Sequence, residues 1–488
     1  MMKTFVESLE QNKEFGIIEK MTSDLILVAG LPSVSVNEVV VFESNDLGLV
    51  TALDEDFVEV LLLSKTRLVP GSRCARTGDL LKIPVGPELL GNVVDPLSRS
   101  LNNNELKFEE LRDYDVLPKS IRDRAKISKQ LETGVAVIDT MVPLGMGQRE
   151  LIVGDRKTGK TSAILSVIKK QIELGSVVIY CAIAKERADV KKLMDFFMHE
   201  KLMDRLVIVA ANSNDPASLV DLAPYSAMTM AEYFSEKGNE VLLILDDLTS
   251  HAKFYREISL LGKRFPGRDS YPGDIFYKHA RLLERAGAYN YGDTSRTITC
   301  LPLAETFDSR LTDYIVSNLI SITDGHMLFD TESFNRGLRP ALNLFLSVTR
   351  VGKQTQSNVA RSLNRKLFRI LSHHASIESY KHFGTELSAD LKKVLEKGNK
   401  IYKFFEQPTN VTIAKEAQVI FLTMIWCGFF DSFEDVEITE LRNSFLKNYD
   451  NNAQAQKLAK SLLDVSGFDL FVDKFKQNES YFKSLCRT

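Results

Sequence analysis

The run Leu151-Ile152-Val153-Gly154-Asp155-Arg156-Lys157-Thr158-Gly159-Lys160-Thr161-Ser162 decides the fold of this chain. From Gly154 to Thr161 it fits G-x-x-x-x-G-K-[ST], preceded by an apolar strand. The glycines let the backbone turn its N–H groups toward a phosphate, and Lys160 adds a point charge for β- and γ-phosphates. Thr161 offers a hydroxyl to Mg²⁺. Ile164, Val167, Ile168 and Ile172 then recur on one helical face, and Gly175 ends that helix. The helix N-terminus adds a dipole that favours an anion. Strand, loop and helix in this order predict a P-loop, with residues 154 to 162 as its nucleotide-binding set.

A P-loop needs an acidic partner. Val241-Leu242-Leu243-Ile244-Leu245-Asp246-Asp247 is an apolar strand ending in two carboxylates. In P-loop proteins the Asp at the end of such a strand holds Mg²⁺ through water. Asp after a strand is also a common helix N-cap. With the P-loop upstream, Asp246 is expected to handle Mg²⁺ and Asp247 to be structural.

Outward from this pair, apolar strands are expected at Glu150–Val153, Val177–Ala182, Leu206–Ala210, Val241–Leu245 and Thr297–Leu301, with helical segments between them. Near-continuous apolar strands alternating with helices indicate a parallel sheet covered on both faces. Upstream, Leu25–Val28, Glu38–Phe42, Gly48–Leu53 and Phe57–Leu63 are short strands punctuated by Gly, Pro, Asn and Asp, the pattern of a small antiparallel barrel. Residues 95 to 130 are polar and proline-punctuated, like a connector. From Gln354 onward helical spacing dominates, as in Ala360–Ala375, Ala389–Phe405 and Ile413–Phe430. The expected organisation is an N-terminal β-barrel (1–90), a RecA-like α/β nucleotide domain with its connector (91–355) and a C-terminal α-helical domain (356–488).

Composition excludes several classes. The 488 residues are 44% hydrophobic and 26% charged, which argues against a disordered chain. A net charge of −3 gives no general reason to expect a nucleic-acid partner. The apolar stretch Val419 to Phe430 is too short to span a bilayer, and Met1 to Glu19 lacks a signal core, so a cytoplasmic location is expected. Five scattered cysteines form neither a metal spacing nor a disulfide framework.

Further segments carry a family resemblance. Leu144-Gly145-Met146-Gly147-Gln148-Arg149-Glu150, Arg264-Phe265-Pro266-Gly267-Arg268-Asp269-Ser270-Tyr271-Pro272-Gly273-Asp274, Ser321-Ile322-Thr323-Asp324-Gly325 and Ser347-Val348-Thr349-Arg350-Val351-Gly352 resemble the F-type ATP synthase alpha subunit. So do Gly30-Leu31-Pro32 and the stretch from Pro84 to Asp95. The likeness runs from about residue 15 to about 450. It implies an alternating hexamer with a beta-like catalytic chain around a gamma-like shaft, ATP or ADP with Mg²⁺ as cofactors, and a stator or membrane-anchored partner. It also implies a peripheral place at the cytoplasmic face of the membrane.

Residue by residue, the resemblance makes sharper claims. Arg350 would reach in trans into the neighbouring catalytic site, where a guanidinium stabilises charge on the γ-phosphate in the transition state. Ser321 would stand at the subunit interface. Phe334, Arg339, Pro340 and Gln407 would surround the base, although the second Gln of the family's Gln-x-Gln pair is here Thr409. Lys157 replaces the family's usual P-loop Gln. After the second sheet strand, catalytic members carry a Glu that polarises water and alpha chains carry Gln; ungapped matching puts Lys185 there. A lysine is protonated at neutral pH and cannot serve as the base, so little turnover is expected at this chain's own site. Glu186, one residue on, should point elsewhere.

The resemblance also leaves alternatives. Lys185 and the short segment before the barrel are similar to a divergent F-type-like paralogue, of the kind that in wall-less bacteria drives surface work such as gliding. A type III or flagellar export ATPase should carry Glu at position 185. A structural ring subunit would keep only vestigial nucleotide binding.

Overall fold

The computed structural model describes residues 3–292, 294–381 and 388–486 and divides into two compact units. The first comprises Met1–Ala125, Gly175–Glu305 and Leu311–Thr323; the second comprises Lys126–Leu174, Thr306–Arg310 and Asp324–Thr488.

The first unit opens with a helix that the sequence reading did not anticipate, Phe5–Asn12, fixed by a capping box between Thr4 and Glu7. A closed barrel follows. Its strands run Phe15–Thr22, Leu25–Ala29, Val58–Leu62, Leu47–Leu53, Glu38–Phe42 and Arg73–Leu80 in spatial order. Closure leaves no unpaired edge. Alternating apolar side chains, among them Ile26, Val28, Val40, Phe42, Val50 and Val60, fill its interior. Glu38 is buried in the barrel wall because Arg76 pairs with it at 3.0 Å.

The same unit holds a parallel sheet in the order Thr294–Glu305, Val241–Asp246, Val177–Lys185, Leu206–Asn212 and Val93–Val94. These strands are buried almost throughout, which is why they read as apolar runs rather than as alternation. Val93–Val94, just ahead of the expected connector, adds an edge, and part of that connector is itself sheet, since Glu110–Asp113 pairs antiparallel with Lys82–Val85.

In the second unit, Leu151–Gly154 pairs in parallel with Gly325–Phe329, which pairs antiparallel with Val348–Thr349. The helix Lys160–Glu173 buries Ile164, Val167 and Ile168. Beyond Gly352 the unit is helical, with Asn358–Lys381, Ala389–Phe405, Lys415–Cys427 and Asp435–Asp450 as its longest elements. Phe404, Phe421, Phe430 and Phe445 pack ring on ring between these helices. Among the described residues no helix is long and apolar enough to cross a membrane.

Candidate functional site

In the second unit the two P-loop glycines are required for different reasons. A Cβ on Gly154 would lie 2.0 Å from the carbonyl oxygen of Phe329 on the adjacent strand. Gly159 has φ +91° and would meet nothing within 4 Å, so its need is conformational and the space before the helix stays open. Gly159 is also the N-cap of Lys160–Glu173 and offers no side chain to the first-turn N–H groups. That leaves donors for an anion.

The Lys160 ammonium is buried and donates to the carbonyls of Gly154 and Asp155, each at 2.6 Å. Arg156, Lys157, Thr161 and Ser162 are exposed, and Lys157 itself has φ +63°. Thr158 is buried and its hydroxyl donates to the Asp155 carbonyl at 2.8 Å. The Asp155 carboxylate is committed to donors from later in the chain. It accepts from the hydroxyls of Thr306 (2.7 Å), Ser309 (3.0 Å) and Thr331 (2.9 Å) and from the Ser309 N–H. Burial alone would raise its pKa, but these donors hold it below the ordinary aspartate value. Asp155 thus anchors the loop as a charged post. The sequence reading missed these three hydroxyl partners because they lie about 150 residues downstream or more.

The expected base contacts are less uniform. The Arg339 guanidinium stacks 3.6 Å from the Phe334 ring centroid and donates to the carbonyls of Phe334 and Leu338. Pro340 follows through a cis peptide bond. Gln407 is buried with both amide hydrogens committed, to the carbonyls of Gly134 and Val411, while its oxygen accepts from the Ala136 N–H. Its carboxamide therefore ties the helical region to the segment ahead of the P-loop.

Arg350 sits on a braced stem. Its N–H donates to the Asp324 carbonyl at 3.0 Å. The Asp324 carboxylate is in turn gripped by Arg149, through Nη2 at 2.8 Å and Nε at 3.1 Å. Thr349, just before Arg350, is buried and bonded to Gln148 and Pro143. Three of the segments that carried the resemblance converge here, and the Arg350 side chain is exposed.

In the first unit, Asp246 ends its strand in register with Ala182. Its Oδ1 lies 2.7 Å from Lys185 Nζ, and its Oδ2 accepts from the Tyr180 hydroxyl. Tyr180 and Lys185 have opposite strand parity, so a regular strand would send them to opposite faces. A bulge reconciles them. The pairing shifts between Ile183 and Lys185, and Ala184 takes φ +53°. One extra residue flips everything after it, bringing Lys185 onto the face of Tyr180 and Ala182. Glu186, by contrast, is exposed at the start of the helix Arg187–His199.

Burial would lower the Lys185 pKa, but Asp246 outweighs it and holds the ammonium above the ordinary lysine value. The group is a cation at neutral pH. Burial also raises the Tyr180 pKa well above its usual value, which keeps the phenol a donor. Asp247 caps the helix Leu248–Leu261 by accepting from the N–H groups of Thr249 and Ser250. Ser321 is exposed and its hydroxyl donates to the Ser317 carbonyl at 2.9 Å, a bond within its own helix.

Tested as a Mg²⁺ contact, Asp246 does not fit. It is buried, both its oxygens are in use, and one of the two partners is a cation that would repel a metal ion.

Residues 134–349 match the nucleotide-binding domain of the ATP synthase alpha/beta family, and residues 356–468 match the C-terminal domain of its alpha/beta chains. The chain is 39% identical over 436 residues to ATP synthase subunit alpha 2 of Syntrophus aciditrophicus, covering 88% of this chain and 84% of that one. It is 34% identical over 491 residues to ATP synthase subunit alpha of Staphylococcus aureus (strain Newman), covering 98% and 97%. With the subunit alpha of Neorickettsia sennetsu it shares 35% over 448 residues, covering 90% and 88%. With the barrel, the P-loop and the helical region already in place, these matches show that the chain belongs to the ATP synthase alpha/beta family, as an F-type alpha subunit.

Proposed function

We propose that this chain binds ATP or ADP at its own P-loop without appreciable turnover and lends Arg350 to the catalytic site of a neighbouring beta-like chain. The observation that carries the first half is Lys185. A protonated amine, ion-paired to Asp246, occupies the sequence position at which, by the resemblance, catalytic members carry a water-polarising carboxylate. The second half is supported by the braced stem and exposed side chain of Arg350. A guanidinium held on rigid backbone can meet charge developing on a γ-phosphoryl group without reorganising.

In this reading the residues divide the work. Backbone N–H groups of Gly154 to Ser162 and the Lys160 ammonium hold phosphates, and Asp155 keeps the loop in shape. The stacked pair Phe334 and Arg339, with Pro340, supplies an apolar and cationic platform for the base. The chain alternates with beta-like subunits around a gamma-like shaft and is peripheral at the cytoplasmic face of the membrane through partner subunits. Lys185 also favours a second reading of the assembly's role, a divergent F-type-like ATPase whose hydrolysis drives an output other than ATP synthesis.

Co-expression with the beta-like chain tests the proposal. The complex should be an alternating hexamer with Mg²⁺-dependent ATPase activity, and this chain alone should bind nucleotide yet hydrolyse almost none. Brisk hydrolysis by the isolated chain would refute it.

A further inference from the structure

Glu150 stands just ahead of the strand Leu151–Gly154 in the second unit. It is fully buried, and its Oε1 has no hydrogen-bond partner among the described residues. An apolar side chain would avoid that cost, so the oxygen that is used calls for an explanation. Oε2 accepts from the Gln148 amide at 2.6 Å. The same amide nitrogen donates to the Thr349 hydroxyl at 3.1 Å, and the amide oxygen accepts from the Gly145 N–H at 2.8 Å. With an acceptor at Glu150 and a donor at Gly145, the carboxamide has one orientation, its nitrogen toward Thr349.

Thr349 completes the relay. Its hydroxyl donates to the Pro143 carbonyl at 3.0 Å and accepts from the Gly352 N–H at 3.1 Å as well as from Gln148. One donated and two accepted bonds exhaust a hydroxyl. It thus closes the turn from Thr349 to Gly352, and Arg350 lies inside that turn. Gly352 has no slack, since an added Cβ would run into the Pro143 carbonyl oxygen.

We propose that Glu150 is a positioning residue for Arg350, fixing through the Gln148 carboxamide and the Thr349 hydroxyl the turn that presents the guanidinium to the neighbouring catalytic site. The inference rests on the reading of Arg350 as the group lent to that site. Burial raises the Glu150 pKa well above the ordinary glutamate value, with Asp324 adding to the rise and Gln148 and Arg350 opposing it. That favours the neutral acid, whose place as acceptor an amide of the same shape can take. A guanidinium displaced by about an ångström loses on the order of 10²-fold in rate. The Asp324 carbonyl still holds the Arg350 N–H when the relay is cut, so the expected loss is smaller.

The test is steady-state Mg²⁺-ATPase activity of the ring assembled with the beta-like chain. Glu150→Met removes the acceptor and should lower kcat about tenfold while KM stays within about twofold. Glu150→Gln keeps an acceptor and should stay within about threefold of wild type in both. In a ring that carries Arg350→Ala, Glu150→Met should lower the residual rate no further, because the group it positions is gone. Thr349→Val cuts the relay at the hydroxyl and should behave as Glu150→Met; it decides the matter if Glu150→Met does not fold. A wild-type kcat in the Glu150→Met or Thr349→Val ring, or an equal drop with and without Arg350, would overturn this inference and leave the reading of Arg350 standing. A near-wild-type rate with Arg350→Ala alone would overturn both.

Discussion

Lys185 Nζ lies 2.7 Å from Asp246 Oδ1, joining the ends of two parallel strands whose sequences are sixty residues apart. The carboxylate is buried, so removing the ammonium leaves a charge with only the Tyr180 hydroxyl for company. Lys185→Met should destabilise the chain by about 2 kcal/mol, less than the ~3–5 of a fully buried pair because the lysine side chain is 26% exposed. Asp246→Asn on that background should recover most of the loss. Urea denaturation of the two single variants and the double variant, read as a cycle, measures the coupling. Additive losses would mean that the pair contributes nothing.

The P-loop glycines should separate folding from binding. Gly154→Ala drives a methyl into the Phe329 carbonyl, and overpacking of this kind costs about 1–3 kcal/mol or more. Gly159→Ala places a Cβ in open space at φ +91°, costing about 1–2 kcal/mol in backbone conformation. Thermal melts should show the larger drop for Gly154→Ala. Nucleotide titration should show that Gly159→Ala, though folded, binds at least tenfold more weakly, a loss of about 1.4 kcal/mol.

Asp221 makes the first unit acid-sensitive. Burial would raise its pKa, but Lys278 at 2.9 Å and His251 at 3.2 Å overcome that and hold the carboxyl far below its ordinary value. A depressed carboxyl stabilises the fold above its unfolded pKa, about 3.9, and loses that contribution as pH falls toward the folded value. Wild type should therefore exceed Asp221→Asn in urea midpoint at pH 7, and the gap should shrink below about pH 4. A constant gap from pH 7 to pH 3 would show that the ion pairs do not set it.

Much of this was legible in the sequence. The barrel strand Glu38–Phe42 and the helix Ala389–Phe405 have the bounds their residue patterns suggest, because the strand is a short, near-continuous apolar run, the helix repeats apolar residues along one face, and turn or cap residues flank each. The strand ending in Asp246 was equally readable. What escaped depends on events outside any local window. Strand alternation gives no hint of the bulge at Ala184, so the meeting of Lys185 with Asp246 could not be derived from spacing. The base contact expected of Gln407 is crowded by backbone groups of Gly134 and Ala136, more than 270 residues earlier. The strand Val93–Val94 is too short to carry a period, and the connector strand Glu110–Asp113 is both short and polar.

The central claim is that Arg350 acts on chemistry next door, and steady-state Mg²⁺-ATPase activity of the hexamer reassembled with Arg350→Ala tests it most directly. Arginine fingers contribute about 10³-fold or more to turnover, so the variant ring should assemble at normal size and lose nearly all of its rate. An intact Arg350→Ala hexamer that hydrolyses ATP at close to the wild-type rate would contradict the account.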